Sequence, residues 1–197
     1  MTVIGLCGGS GSGKGLVCNI FNEFGIKSID TDRLYHELIS SESECTKELI
    51  SCFGDGIASS TGINRVRLRE VAFSSKSNLT LINKITHKHI LEVARKRIDQ
   101  YKRDGYKGVV IDAPLLFESG FDKECDLTVC VIADEELRIN RIIKRDGISR
   151  NDAVKRINSQ IPNDKLIKKC TYCIENNSTE EILRLQVAGL INLIFEK

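Results

Sequence analysis

Between residues 8 and 14 the chain reads Gly8-Gly9-Ser10-Gly11-Ser12-Gly13-Lys14. Glycine tolerates positive φ, so a loop of this composition can turn successive backbone N–H groups toward one anion. The lysine neutralises that anion, and the N-terminus of a following helix adds partial positive charge. This is phosphate-binding chemistry. The general form of the motif places Ser or Thr after the lysine as a magnesium ligand, whereas Gly15 and Leu16 follow here. Magnesium would then be held by phosphates, water and other carboxylates. Asp112, which ends the apolar run Val109-Val110-Ile111, is the candidate metal ligand. The same residue type at that place would also serve as a cap after a buried strand.

A second group of acids, Asp30-Thr31-Asp32, follows a short apolar run. At the carboxyl end of a strand in an open α/β sheet, such acids face the ligand cleft. Read as extended chain, Asp30 and Asp32 share a face, with Asp32 reaching further in. A carboxylate there accepts the proton of a hydroxyl and repels an acceptor that already carries phosphate, so an alcohol acceptor is favoured, with Asp32 as base. The alternative is that both acids cap the next helix. A third group is basic: Arg138, Arg141, Lys144, Arg145, Arg150, Lys155 and Arg156. Arg141 and Arg145 are four apart, on one helical face. From there Arg145 could meet phosphate oxygens and Arg141 could stack near a base, with Gly147 as hinge. Asp134, Glu135 and Glu136 would equally make these arginines a solvated, ion-paired surface.

The elements that must position these groups are legible from periodicity. Strands are expected at Thr2 to Cys7, Lys27 to Asp30, Gly108 to Ala113, Asp126 to Ile132 and Thr171 to Glu175. Their separations leave room for crossover helices, which implies an α/β protein with a five-stranded parallel sheet covered on both faces. A helix is expected from Leu16 to Phe24, and another at the C-terminus behind the capping pattern Ser178-x-x-Glu181; Ser149-x-x-Asp152 is a second such pattern. Residues 31–107 show no strand signal, while Leu91, Ala94, Ile98 and Tyr101 repeat at helical spacing, so a helical insertion into a single domain is expected.

Composition sets outer bounds. The 197 residues are 41% hydrophobic and 28% charged with a net charge of +2, which fits one globular domain and argues against broad nucleic-acid binding. No stretch resembles a signal peptide or a membrane span, which points to a cytoplasmic protein. The eight cysteines, several among apolar residues, are expected as free thiols, and Cys170-x-x-Cys173 lacks the second ligand pair of a zinc site. The sequence requires no oligomer.

Taken together, Ile4 to Lys14, Phe24-Gly25 and Ile29-Asp30-Thr31-Asp32 resemble the opening of the dephospho-CoA kinases. Asn64-Arg65 with Leu68 is similar to that family's arginine-leucine segment. Pro114-Leu115-Leu116-Phe117-Glu118 is similar to its proline-leucine-leucine motif, and Gln160, Lys168 and Asn176-Asn177 to its closing pattern. The sequence departs at Gly15 and at His87-Lys88, where the family has proline after the histidine. The resemblance implies a three-layer phosphate-loop kinase fold, with an acceptor-binding insertion over 31–107 and a lid over 138–156. It implies transfer from Mg-ATP to the ribose 3′-hydroxyl of dephospho-CoA. The ATP contacts it implies are Gly9, Gly11, Ser12, Gly13, Lys14, Gly15, Leu16, Arg141 and Asn177. The acceptor contacts are Asp32, Arg65, His87, Pro114, Leu115 and Leu116, and the catalytic set is Asp32, Lys14 and Arg145. A nucleoside monophosphate kinase and an ATP-binding protein of weakened activity are the alternatives.

Overall fold

The computed structural model describes residues 1–196; Lys197 lies outside it. Five strands, β1 (Thr2–Cys7), β2 (Lys27–Asp30), β3 (Gly108–Asp112), β4 (Leu127–Ile132) and β5 (Tyr172–Glu175), form one sheet in the order β2-β3-β1-β4-β5. β1 pairs in parallel with both β3 and β4, and β4 with β5. The architecture is the expected α/β one. Two strands begin one residue later than periodicity suggests, where side chains join the pairing. Asp126 Oδ2 accepts the Val3 N–H, and Thr171 exchanges hydrogen bonds with Thr128, so neither extends its strand.

α1 (Lys14–Glu23) follows β1 and starts two residues earlier than its apolar spacing indicates. α9 (Glu180–Phe195) packs beside it on the same face of the sheet. Val17, Ile20 and Phe21 of α1 meet Leu183, Val187 and Ile191 of α9 over Ile4, Leu6, Val129 and Val131, all fully or nearly fully buried. The residue that caps α9 is Thr179, not Ser178: its side chain accepts the Ile182 N–H. On the opposite face Leu116 packs over Gly5, alongside α8 (Asn163–Lys169). α6 (Glu135–Asp146) and α7 (Arg150–Asn158) form a helical pair closed by Ile139, Ile142, Ala153 and Ile157. Ser149 caps α7 through the Asp152 N–H, as its spacing implies.

The chain divides into two compact units, residues 30–100 and the remainder. Within the smaller unit lie α2 (Thr31–Ile39), α3 (Glu44–Phe53), α4 (Arg65–Ser74) and most of α5 (Lys76–Arg103). Its core is separate, built from Ile39, Leu49, Ile57, Leu68, Ile82 and Ile85. Buried His89 of α5 is 2.7 Å from Glu48 of α3, and Lys88 adds a 2.8 Å bond to the same carboxylate. Among the described residues no helix is long and apolar enough to cross a membrane.

The observed cap makes a test of local folding. Thr179→Ala should lower stability by about 0.5–1 kcal/mol in denaturant titrations, whereas Ser178→Ala should leave the midpoint within error.

Candidate phosphate-binding and phosphoryl-transfer site

The loop after β1 adopts positive φ at Gly11 (78°) and Gly13 (92°), and Gly13 stands at the N-cap of α1 without any side-chain cap. A loop that turns its N–H groups inward must turn its carbonyls outward, and buried carbonyls need donors. Three are supplied from remote parts of the chain. Arg138 Nε donates to Ser10 O at 3.0 Å, Arg141 Nη1 to Gly11 O at 3.2 Å, and Asn176 Nδ2 to Ser12 O at 2.8 Å. Gln160 adds a two-point contact with Ser10, accepting its N–H at 2.9 Å and donating to its hydroxyl at 3.1 Å. Arg138 Nη2 donates to the same Gln160 oxygen, and Arg141 Nη2 to the carbonyl of Asn176. Arg138 is only 4% exposed, and burial pulls its pKa down from the ordinary guanidinium range.

Inside the loop, Ser12 Oγ is buried and has no hydrogen-bond partner among the described residues. An orphaned buried hydroxyl costs about 1–3 kcal/mol until something supplies its partner, and a phosphate oxygen is of the right chemistry. Lys14 is paired with Asp112 of β3, and Cys18 donates to the other Asp112 oxygen at 3.4 Å. Asp112 is thus a hard oxygen donor beside the phosphate loop, of the type magnesium takes. Gly15 supplies no ligand, although nothing lies within 4 Å of where its Cβ would be. The donors therefore fit magnesium through one carboxylate, with water and phosphate completing the shell.

The other sequence candidates are distributed as follows. Arg145 is bonded to Asp146 at 2.7 and 2.9 Å, and Asp146 also meets Arg156; these guanidiniums hold the Asp146 carboxyl well below the usual carboxylate range. Asn177 does not touch the loop: it closes the start of α6, accepting the Asp134 N–H at 2.8 Å. Leu16 is half-buried against the α1–α9 core. Pro114 and Leu115 line a cavity of about 100 Å³ with Cys7, Gly8, Glu118 and Gln160, while Leu116 is fully buried in the core.

In the smaller unit, the extended reading of Asp30-Thr31-Asp32 is corrected. Asp30 Oδ1 accepts the Arg33 N–H at 3.0 Å, so a helix begins at Thr31 and Asp32 sits in the first turn of α2. Asp30 is a cap, and the two acids do not alternate along a strand. Arg65 opens α4 and borders a groove of about 690 Å³ with Tyr35, Arg69, Phe73 and Leu79. His87 is half-buried in α5, and its burial lowers its pKa below the usual imidazole value.

Arg138 and Asn176 are the loop-holding residues that the sequence analysis did not single out. Arg138 lies three before Arg141, so helical spacing puts both on one face as readily as Arg141 and Arg145. Nothing in the sequence separates Asn176 from Asn177.

A glycine-rich loop and lysine joining β1 to α1 of a parallel 2-3-1-4-5 sheet, with an acid on the neighbouring strand, define a phosphate-loop kinase fold. The shikimate kinase of Acinetobacter baumannii, in complex with shikimate, shares this fold at a TM-score of 0.58 and 16% identity, covering 100% of this chain and 94% of its own. A family model described as dephospho-CoA kinase matches residues 2–181, and the chain belongs to that family. A dephospho-CoA kinase from Fusobacterium nucleatum is 42% identical over 182 residues, 92% of each chain. One from Corynebacterium glutamicum is 34% identical over 198 residues, 100% of this chain and 99% of its own. The solved dephospho-CoA kinase from Campylobacter jejuni superposes with a TM-score of 0.74 at 25% identity, covering 98% and 97%. Kinases of this family use ATP as phosphoryl donor.

A Cβ at Gly13 would collide with the Asn176 amide, and the positive φ penalises any side chain there. Gly13→Ala should therefore weaken ATP binding at least about tenfold by calorimetry, because the Ser12 carbonyl loses its donor as the loop shifts.

Proposed function

We propose that the chain transfers the γ-phosphoryl group of ATP directly to the ribose 3′-hydroxyl of dephospho-CoA, giving coenzyme A and ADP. The observation that carries this is the anchored phosphate loop, whose Ser10, Gly11 and Ser12 carbonyls are engaged outward by Arg138, Arg141 and Asn176, which holds it in the turned conformation that a phosphate needs. With the loop and α1 N-terminus holding the β-phosphate, Lys14 leaves its share of Asp112 to bridge toward the γ-phosphate. Asp112 and the phosphates would hold magnesium, which neutralises charge on the transferring group. Asp32, exposed in the first turn of α2, is the base that takes the 3′-hydroxyl proton as that oxygen attacks the phosphoryl group.

Arg65 meets the acceptor's phosphates beside the groove of α4 and α5, and His87, kept neutral by burial, offers a hydrogen bond without added charge. Pro114 and Leu115, which line a cavity with Gly8 and Gly9, are assigned to the acceptor as well. Arg145 exchanges its Asp146 partner for the γ-phosphoryl oxygens when the α6–α7 pair closes as a lid about Gly147, whose φ of 65° already ends α6. The exchange costs little because Asp146 keeps Arg156. The protein acts in the cytoplasm.

Purified protein incubated with Mg-ATP and dephospho-CoA should yield coenzyme A and ADP by mass. Product from AMP, CMP or UMP instead would identify a nucleoside monophosphate kinase, and ATP binding without any product would identify a non-catalytic protein. Asp32→Asn should lower kcat by about 10²–10⁴ while leaving ATP affinity within about twofold; unchanged turnover would remove Asp32 from the base role. Gly15 is an open helical position, so Gly15→Ser should fold normally and lower the magnesium concentration for half-maximal rate several-fold. An unchanged magnesium dependence would mean that the hydroxyl does not reach the metal.

A further inference from the structure

Three adjacent strands carry cysteine at matching positions. The register pairs Cys7 of β1 with Cys130 of β4, and Cys130 with Cys173 of β5. Partners in a parallel ladder share a face. Here it is the face away from α1 and α9, because Leu6, Val129, Val131 and Ile174, the neighbours along each strand, belong to the α1–α9 core. Cys170, at the C-terminal cap of α8, brings a fourth sulfur, its Sγ 3.5 Å from Cys7 Sγ. Cys7 and Cys130 are buried and Cys170 is half-buried; all are free thiols. Among the described residues no group of His, Cys, Asp and Glu is arranged to hold a metal ion. The chemistry the cluster offers is that of thiols.

These thiols are not equivalent. Hydrogen bonds from Cys130 and then Cys7, helped by the Thr128 hydroxyl and the charge of Lys169, stabilise the Cys170 thiolate and bring its pKa down to about 4. Cys7 is driven the opposite way, by its bond to Cys170 and by burial, and stays protonated. A thiolate and a protonated thiol in contact are the attacking and resolving halves of a disulfide-forming pair. Cys170 is only partly buried, and Cys7 lines a cavity of about 100 Å³ with Gly8, Glu118, Gln160 and Leu166.

We propose that Cys170 is a modification site for oxidants of the hydroperoxide class, and that Cys7 resolves the product into a Cys7–Cys170 disulfide that weakens nucleotide binding. The Cys170 thiolate attacks the terminal peroxide oxygen, breaking the O–O bond and giving the sulfenic acid; the other oxygen takes a proton and departs as the alcohol, or as water when the oxidant is hydrogen peroxide. Cys7 then attacks the Cys170 sulfur, displaces hydroxide and gives up its proton to it, releasing water. Two electrons pass from the two sulfurs to the peroxide, and a dithiol reverses the change.

The phosphate loop feels the bond from both ends. Cys7 directly precedes Gly8, which has no slack: a Cβ there would lie 2.6 Å from the Val131 carbonyl. Cys170 ends the segment that carries Gln160 and Asn163, and these residues hold Ser10 and Arg138. Drawing the sulfurs from 3.5 Å to about 2 Å therefore pulls on the carbonyl anchors and on the strand beneath them.

The test treats the full chain with hydrogen peroxide, blocks remaining thiols with iodoacetamide and maps the peptides by mass. The expected result is a loss of about 2 Da located to a Cys7–Cys170 cross-link and reversed by dithiothreitol. ATP affinity should fall at least about fivefold in the oxidised protein, the equivalent of about 1 kcal/mol. Cys170→Ser should abolish both changes and Cys52→Ser neither. A cross-link that omits Cys170, a Cys130–Cys170 bond in place of the proposed one, or a cross-linked protein with unchanged ATP affinity would overturn the proposal. Should Cys170→Ser not fold, the parent protein decides: at pH 6 Cys170 must react with iodoacetamide faster than exposed Cys52, and a faster Cys52 refutes the thiolate assignment.

Discussion

The conformation of the phosphate loop rests on one requirement, that a backbone turned to present N–H groups to an anion must find donors for the carbonyls it turns the other way. The donors at Ser10, Gly11 and Ser12 are two arginines of α6 and an asparagine just beyond β5. They lie 128, 130 and 164 residues away in sequence. The loop near the N-terminus is thus held by the last third of the chain. Arg138 shows the strength of that demand: a guanidinium is almost wholly removed from water and kept there by Ser10, Gln160 and Asn163.

The charges around the loop follow the same logic. Lys14 and Asp112 are each mostly buried, and either alone would carry a desolvation cost that the other offsets. The pairing keeps a cation at the end of the loop and a carboxylate beside it. Outside the loop, Arg145 and Arg156 share Asp146, and Arg150 holds Glu136, so the basic stretch is an ordered ion-pair network before it serves as anything else. Positive charge is thereby held along α6 and α7 with repulsion among the arginines offset by these acids. The opposite face of the sheet has its own asymmetry, since a row of sulfurs sits where the other face carries branched aliphatics.

Most of the fold was legible because its signals are local. The five apolar runs became the five strands to within a residue at each end, and Ser149 caps α7 as its spacing implied. Where local signals competed, tertiary contacts decided. Ser178 and Thr179 are both good capping residues, and in the folded chain it is Thr179 whose side chain accepts the Ile182 N–H. Asp30-Thr31-Asp32 supports either an extended or a helical reading, and the bond from Asp30 to the Arg33 N–H settles it in favour of the helix.

By itself the sequence determined the elements, the phosphate loop with its lysine, and enough motif spacing to mark the family, because these depend on residue type over short distances. It could not decide which of two adjacent asparagines reaches the loop. It also could not decide which arginines face inward, or that Cys7, Cys130, Cys170 and Cys173 would share one corner of the sheet. Those outcomes depend on strand order and register, which are set when distant segments bury their apolar faces together. Only the tertiary structure turned a glycine-rich motif into a loop with every outward carbonyl at Ser10, Gly11 and Ser12 engaged.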